Sequence, residues 1–298
     1  MKYLASFIII AILFFTNLQL ASAQEDLLSL LGEEEITQFT SATFKSTRII
    51  NSQSIENAAR GVLDIKIQHR FNSFNNGLDD FFGLDGATIR IGADYGLTNR
   101  IMIGAGRSSL DKAVDGFAKI KILRQSSGKK KMPLSISWFT SIELKTTAYS
   151  EPTRTNYFSS RMYYVNQLLF ARKFSDGLSI QIMPTMVHRN LVKTDLEKND
   201  VYSLGIGFRQ KLSKRISFNV EYFYTLPNQL AEGFQHPLSI GFDIETGGHV
   251  FQLHFTNANA MIYKGFIGET IDSWSKGEIH FGFNLSRVFT LVKPKMNE

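Results

Sequence analysis

Apolar and polar residues alternate through residues 87–107, and this stretch sets the pattern for most of the chain. The odd positions of its first half are apolar, whereas the even positions carry Arg90 and Asp94. After the polar turn 96–99 the apolar face resumes at Ile101 and Ile103. Because successive side chains of a strand point to opposite faces, the stretch predicts two antiparallel strands joined by a tight turn.

The same period of two recurs down the chain and predicts about twelve strands of roughly 9–13 residues, the length of a tilted membrane strand. The alternating segments lie near residues 63–71, 87–95, 101–107, 118–123, 134–144, 161–172, 178–186, 202–209, 216–224, 238–244, 251–256 and 279–286. The segment 161–172 is apolar on both faces, so its orientation stays open. The predicted fold is all-β: a closed antiparallel transmembrane β-barrel of about 12 strands in up-and-down order.

The connections between these segments alternate in length. Short turns fall at 96–99, 173–176, 212–215 and 245–248, and longer links fall at 72–86, 147–159, 190–200, 226–236 and 257–276. Two links depart from this alternation, because 125–133 is long for a tight turn and 108–115 is short for an outer loop. Alternation of short periplasmic turns with longer outer loops is typical of outer-membrane barrels.

A soluble β-sandwich is the main alternative, because it also alternates apolar and polar positions. Three features favour the barrel. Charges are absent from the apolar face between Ile89 and Ile103. Aromatic residues gather near strand ends, as interfacial girdles do. Finally, a Greek-key sandwich has no reason to alternate its turn lengths by side.

The ends of the chain differ from the repeating part. Lys2, an apolar block at 8–15 and Ala21-Ser22-Ala23 predict a secretory signal peptide at 1–23, with a retained membrane anchor as the alternative. Residues 24–59 are predicted to form a periplasmic or lumen-associated segment, with an edge strand and a plug as open alternatives. The barrel is expected at 60–290, followed by a polar tail at 291–298.

Composition narrows the functional classes. The chain has no cysteine, which excludes disulfides, thiolate metal sites and an acylated N-terminal cysteine. The formal net charge of +6 over 298 residues is too small and too scattered to indicate nucleic-acid binding. Since no later segment reaches about 18 consecutive apolar residues, strands would have to cross the membrane.

Several motifs carry a family resemblance. Residues 42–51 (ATFKSTRIIN), 81–85 (FFGLD), 87–92 (ATIRIG) and 104–109 (GAGRSS) resemble a family of uncharacterised bacterial membrane-bound β-barrel proteins. The resemblance spans most of the mature chain. It implies an outer-membrane location and a single barrel domain, and it implies no activity and no site residues.

Strand parity predicts a charged inner face. The residues expected to line the lumen are Asp64, Lys66, Arg70, Arg90, Asp94, Lys119, Lys121, Glu143, Arg209, Glu221, Asp243, His254, Glu278 and His280. They could set the selectivity of a solute pathway, or they could form a charge network that fills a narrow barrel; both interpretations stay open. No spacing around His254 and His280 fixes a metal-ligand set, so hydrogen-bonded lumen histidines are the favoured interpretation, and no cofactor or metal is expected.

The sequence supports three functional hypotheses. The first is a channel for small polar solutes in the bacterial outer membrane, reached by Sec-type export. The second is a closed structural or docking barrel that binds another envelope component. The third is a barrel enzyme, which is disfavoured because no spacing singles out a nucleophile, base and orienting group. The expected partners are the lipid bilayer and an envelope component. The apolar loop 257–276 is expected to fold over the barrel mouth, with contact to a partner as the alternative.

Overall fold

A computed structural model describes residues 36–149, 152–153, 155–192, 194 and 197–293, apart from the side chain of Asn76. The predicted signal peptide and the end of the polar tail therefore lie outside the described residues. The strands are β1 Gln38–Phe39, β2 Val62–Ser73, β3 Ala87–Gly96, β4 Ile101–Ser108, β5 Val114–Leu123, β6 Ser126–Ser127, β7 Ser135–Leu144, β8 Met162–Lys173, β9 Leu178–Arg189, β10 Asp200–Lys211, β11 Ile216–Thr225, β12 Leu238–Thr246, β13 His249–Thr256 and β14 His280–Thr290.

Among the described residues, helical structure is confined to short pieces between strands. These are the α-helix α1 at Tyr263–Gly268 and 3-10 turns at Phe74–Gly83, Leu110–Lys112, Phe158–Arg161 and Trp274–Lys276. Within the described part of the chain, none of these helices is long and apolar enough to span a membrane.

Twelve strands close into an antiparallel barrel, which confirms the predicted fold class. Chain neighbours pair in up-and-down order, and β14 closes the barrel against β2, for example at Leu285 opposite Ile67. Tight turns connect β3 to β4, β8 to β9, β10 to β11 and β12 to β13; we call this end of the barrel the short-turn end. The opposite, long-loop end carries the connections 74–86, 145–161, 190–199, 226–237 and 257–279.

The chain divides into two units. Residues 39–125 and 132–298 form the unit that contains the barrel. The other unit comprises residues 1–38 and 126–131, of which 36–38 and 126–131 are described. A two-stranded sheet pairs β1 with β6. Gly128 has a positive φ of 78°, and a Cβ there would lie 2.2 Å from the carbonyl oxygen of Ile36, so glycine is needed at this turn.

The two faces of the barrel wall follow the alternation of the sequence. Ile91 and Leu204 are at least half exposed on the outer surface. Arg90 is fully buried on the inner face, together with most of the other charged strand residues. The barrel therefore presents an apolar outside and a largely polar inside, as a strand with period two requires.

One sector of the interior is apolar, and periodicity did not reveal it. Strands β8, β9 and β10 turn Val165, Leu169, Met183, Val187 and Val201 inward, where all five are fully buried. They belong to one apolar cluster with Ile49, Phe266 and Ile267, which come from segments lying inside the barrel. This packing orients β8, the strand whose sequence is apolar on both faces.

Candidate functional site in the barrel lumen

Twelve of the fourteen residues expected in the lumen have buried side chains inside the barrel. They are Asp64, Lys66 and Arg70 on β2, Arg90 and Asp94 on β3, Lys119 on β5, Glu143 on β7, Arg209 on β10, Glu221 on β11, Asp243 on β12, His254 on β13 and His280 on β14. Lys121 on β5 is only partly buried and lies 3.8 Å from Glu56. Glu278 departs from the expectation, because it precedes β14 and its Oε2 accepts the backbone N–H of Ser273 at 2.9 Å.

Part of this set forms ion pairs within the wall. Arg90 donates through Nε to Asp115 Oδ1 at 2.8 Å and through Nη1 to Gln68 Oε1 at 2.9 Å. Lys66 pairs with Asp64 and lies 3.8 Å from Asp94. Because an unpaired charge inside a barrel would cost several kcal/mol, each of these groups depends on its partner. The sequence analysis did not include Asp115 among the lumen residues. Its position two residues before Phe117 and four before Lys119 on β5 places it on the same inward face.

The N-terminal segment enters the lumen and turns back on itself. We call residues 43–58 the N-terminal plug. The backbone N–H of Ile49 donates to the carbonyl of Ser52 at 3.0 Å, and that of Ser54 donates to the carbonyl of Thr47 at 2.9 Å. Residues 47–55 are buried throughout. Of residues 24–59, the part 43–58 thus lies in the lumen, whereas Gln38–Phe39 form the short strand β1.

Glu221 holds the tip of the N-terminal plug. Its carboxylate accepts the backbone N–H groups of Ile50 at 3.2 Å, Asn51 at 3.2 Å and Ser52 at 3.0 Å. The hydroxyl of Ser52 adds a fourth bond at 2.7 Å. A carboxylate that accepts several backbone N–H groups compensates both its own burial and theirs. Glu221 thus anchors the plug to the wall.

Lys119, on β5, holds the other arm of the plug. Its ammonium donates to Gln53 Oε1 at 3.0 Å and to the backbone carbonyls of Ser54 at 2.8 Å and Glu56 at 2.6 Å. Its side chain is fully buried. Further side chains of the wall donate to plug carbonyls, among them Gln181 to Gln53, Gln252 to Ile49 and Asn284 to Ile50.

A second segment enters the barrel from the long-loop end. We call residues 257–270, which include α1, the loop stopper; α1 is buried along its whole length. The carboxylate of Glu143 accepts the backbone N–H groups of Tyr263 and Lys264, both at 2.9 Å. Arg70 donates to the carbonyl of Ala258. The apolar loop of the sequence analysis therefore folds into the barrel mouth.

An ion cluster clamps the loop stopper at the long-loop end. Lys264 Nζ lies 2.8 Å from Asp111 Oδ2 and 2.8 Å from Glu269 Oε2, and Lys145 lies 2.8 Å from Asp111 Oδ1. Partial burial favours the neutral acid and would raise the pKa of Asp111, but the ammonium groups of Lys264 and Lys145 outweigh burial and lower it. Asp111 consequently stays ionised within the clamp at neutral pH.

The two segments meet inside the barrel. The backbone N–H of Gln53 donates to the hydroxyl oxygen of Tyr263 at 2.7 Å, and that hydroxyl donates to Gln167 Oε1 at 2.9 Å. The ring of Tyr263 packs on Phe139 with centroids 5.0 Å apart. Tyr263 therefore joins the plug, the loop stopper and the barrel wall.

Cavities at the two ends are separated by these contacts. A cavity of about 400 Å³ opens at the long-loop end beside Asp111, Arg189 and Glu269. One of about 410 Å³ lies at the short-turn end beside Lys45, Glu56 and Glu245. Two interior cavities, one beside Gln252 and one beside Phe139, measure about 10 Å³ each, the room of about one water molecule.

The two lumen histidines do not form a pair. His280 contacts the carbonyl oxygen of Phe71 and Asp272 Oδ2, both at 2.8 Å. His254 is fully buried, and neither ring nitrogen has a hydrogen-bond partner among the described residues. Within the same part of the chain, no group of three histidine or carboxylate side chains is arranged to hold a metal ion.

Comparison with known proteins places the barrel among membrane proteins. Residues 44–289 match the model of a family described as Membrane bound beta barrel domain (DUF5777). Similar solved structures include the NanC porin, with a TM-score of 0.48 and 9% identity over 77% of this chain and 100% of that one. The KdgM porin has a TM-score of 0.47 and 12% identity over 76% and 99% of the two chains. Omp33 of Acinetobacter baumannii has a TM-score of 0.42 and 8% identity over 76% of this chain and 97% of that one. No curated protein matches the chain.

Proposed function

The chain belongs to the family of membrane-bound β-barrel domains, and we propose that it is a bacterial outer-membrane channel for small polar solutes which its own two inserted segments keep closed at rest. The short-turn end would face the periplasm and the long-loop end the exterior, as in other outer-membrane barrels. The N-terminal plug would then enter from the periplasmic side and the loop stopper from outside.

The observation that carries the proposal is the bonding of Glu221 to three consecutive backbone N–H groups of the plug. A permanently filled barrel could use apolar packing at this place, because replacing buried charges by apolar groups of similar volume is often neutral or stabilising. A charged wall instead remains wettable when the plug moves away. Reversible closure of a polar pathway explains why the interior carries charges that bind plug backbone.

Conductance in planar bilayers tests the proposal. Wild-type protein should be closed most of the time, with rare openings. The substitution Glu221→Gln removes the charge that three N–H groups share, and hydrogen bonds to charged groups contribute about 1.5–3 kcal/mol. We therefore expect openings to become about tenfold more frequent or more. Glu232→Gln, at an exposed loop position, is the matched control and should behave as wild type.

A closed docking barrel is the second candidate, favoured by the complete burial of plug residues 47–55. It predicts that neither the wild-type protein nor Glu221→Gln conducts in planar bilayers, although both proteins are folded. Such a result would contradict the channel. Conductance that rises only in Glu221→Gln would contradict the docking barrel.

A further inference from the structure

The outer surface of the barrel has a polar interruption on β8. Asn166 points outward by parity, since its neighbours Val165 and Gln167 are buried inside. It lies opposite Thr140 of β7, whose side chain also points outward. No side chain in the described part of the chain hydrogen-bonds the Asn166 carboxamide. Four residues of a tilted strand place it roughly 10 Å from the long-loop end, within the apolar band.

The backbone pairing of β8 with β9 is interrupted near Asn166. The pairing of β8 with β9 runs from Tyr163 to Gln167 and resumes only at Phe170, opposite Ile182. Pro184 lies in the gap and has no N–H to donate across it. Backbone groups without partners are costly in lipid, because no water is there to replace the missing bond.

A groove lies over the same place. It measures about 510 Å³ and is lined on the outer surface by Trp138, Leu168, Pro184, Met186, Tyr202 and Leu204. Trp138 is 39% exposed and Tyr202 is 48% exposed. Aromatic residues and methionine are enriched at protein–protein interfaces relative to the rest of the surface. Polar groups and a concave apolar surface thus coincide on one sector of the barrel.

We propose that this sector, β7–β10 around Asn166, binds a second copy of the chain within the membrane. A carboxamide both donates and accepts hydrogen bonds, so two Asn166 side chains related by a two-fold axis satisfy each other. Lipid acyl chains fill a groove but offer no such partner. The Trp138 ring at the edge of one groove then packs against the groove of the partner. The proposal does not depend on whether the barrel conducts.

The absence of cysteine from the chain makes crosslinking a direct test. Leu168→Cys places a thiol in the groove, and Leu253→Cys places one on β13 at the same exposure of 39%. With a short bifunctional thiol reagent in native membranes, Leu168→Cys should give crosslinked dimer and Leu253→Cys almost none. Equal yields from the two positions, or dimer from Leu253→Cys alone, would overturn the proposal.

The role of the carboxamide is tested separately. Asn166→Leu should weaken dimerisation in detergent about tenfold, since a side-chain hydrogen bond between membrane segments contributes about 1–2 kcal/mol. Leu168→Trp fills the groove and leaves the Asn166 carboxamide in place, and it should weaken dimerisation as well. It provides the test if Asn166→Leu fails to fold. If both variants fold and dimerise as the wild type does, the interface is contradicted. It is also contradicted if the wild-type protein purifies as a monomer with only lipid bound.

Discussion

The hydroxyl oxygen of Tyr263 lies 2.7 Å from the backbone nitrogen of Gln53, although the two residues are 210 positions apart in the chain. This bond joins a segment that enters the barrel before its first strand to a loop that precedes its last strand. Because the same hydroxyl also donates to Gln167 on the wall, loss of one of its two hydrogen bonds weakens the other. The two inserted segments therefore depend on each other.

Removing this hydroxyl should loosen the plug. Tyr263→Phe leaves the buried N–H of Gln53 without an acceptor, which costs about 1–3 kcal/mol. Hydrogen exchange at Gln53 and its neighbours should become about tenfold faster or more. Tyr157→Phe, which alters a tyrosine that is 68% exposed, is the control and should leave exchange unchanged. Unchanged exchange in Tyr263→Phe would show that the two segments are held independently.

The wall ion pair of Arg90 and Asp115 predicts strong non-additivity. Arg90→Met leaves a buried carboxylate without its partner and should lower the free energy of unfolding by about 3–5 kcal/mol. Adding Asp115→Leu should restore most of this loss, because both charges are then gone. Urea unfolding in lipid vesicles measures each step of the cycle. Purely additive effects of the two substitutions would contradict a coupled pair.

Steric pressure provides a test of the plug that is independent of charge. A Cβ on Gly207 would lie 2.3 Å from Cδ1 of Ile49 in the plug. Gly207→Val should therefore displace the plug tip and raise conductance in planar bilayers, while the outer surface of β10 stays as it is. Ile206→Val, on the outward face of the same strand, is the control. If the folded Gly207→Val protein shows no conductance, the plug is not movable.

The clamp on the loop stopper should respond to acid only at low pH. The pKa of Asp111 is lowered in the folded protein, so the clamp is fully formed above the ordinary carboxyl value of 3.8 and is lost as the pH falls through the lower folded value. Hydrogen exchange within α1 should stay constant from pH 7 to about 4 and accelerate below that, after correction for the intrinsic pH dependence of exchange. In Asp111→Asn, exchange should be faster at neutral pH and lack the acid step; a step near pH 6 would contradict this assignment.

Local periodicity was sufficient for the wall of the barrel. Alternation of Arg90 and Asp94 with Ile89 and Ile91 determines which face is polar, because neighbouring side chains of a strand must point apart. The same rule placed Glu221 and Lys119 on the inner face, 102 positions apart, without any knowledge of what they bind. It failed at Glu278, because the alternation of the sequence extends into the loop that precedes β14.

What fills the barrel was decided only by the tertiary structure. The bond of Ser52 to Glu221 spans 169 positions and that of Tyr263 to Gln53 spans 210, so no local pattern encodes either. Residues 161–172 are apolar on both faces, and their orientation follows from contact of Val165 and Leu169 with the apolar cluster that Ile49 and Phe266 bring into the lumen. Strand faces are a property of neighbouring residues, whereas the closure of the lumen depends on which distant segments the closed barrel brings together.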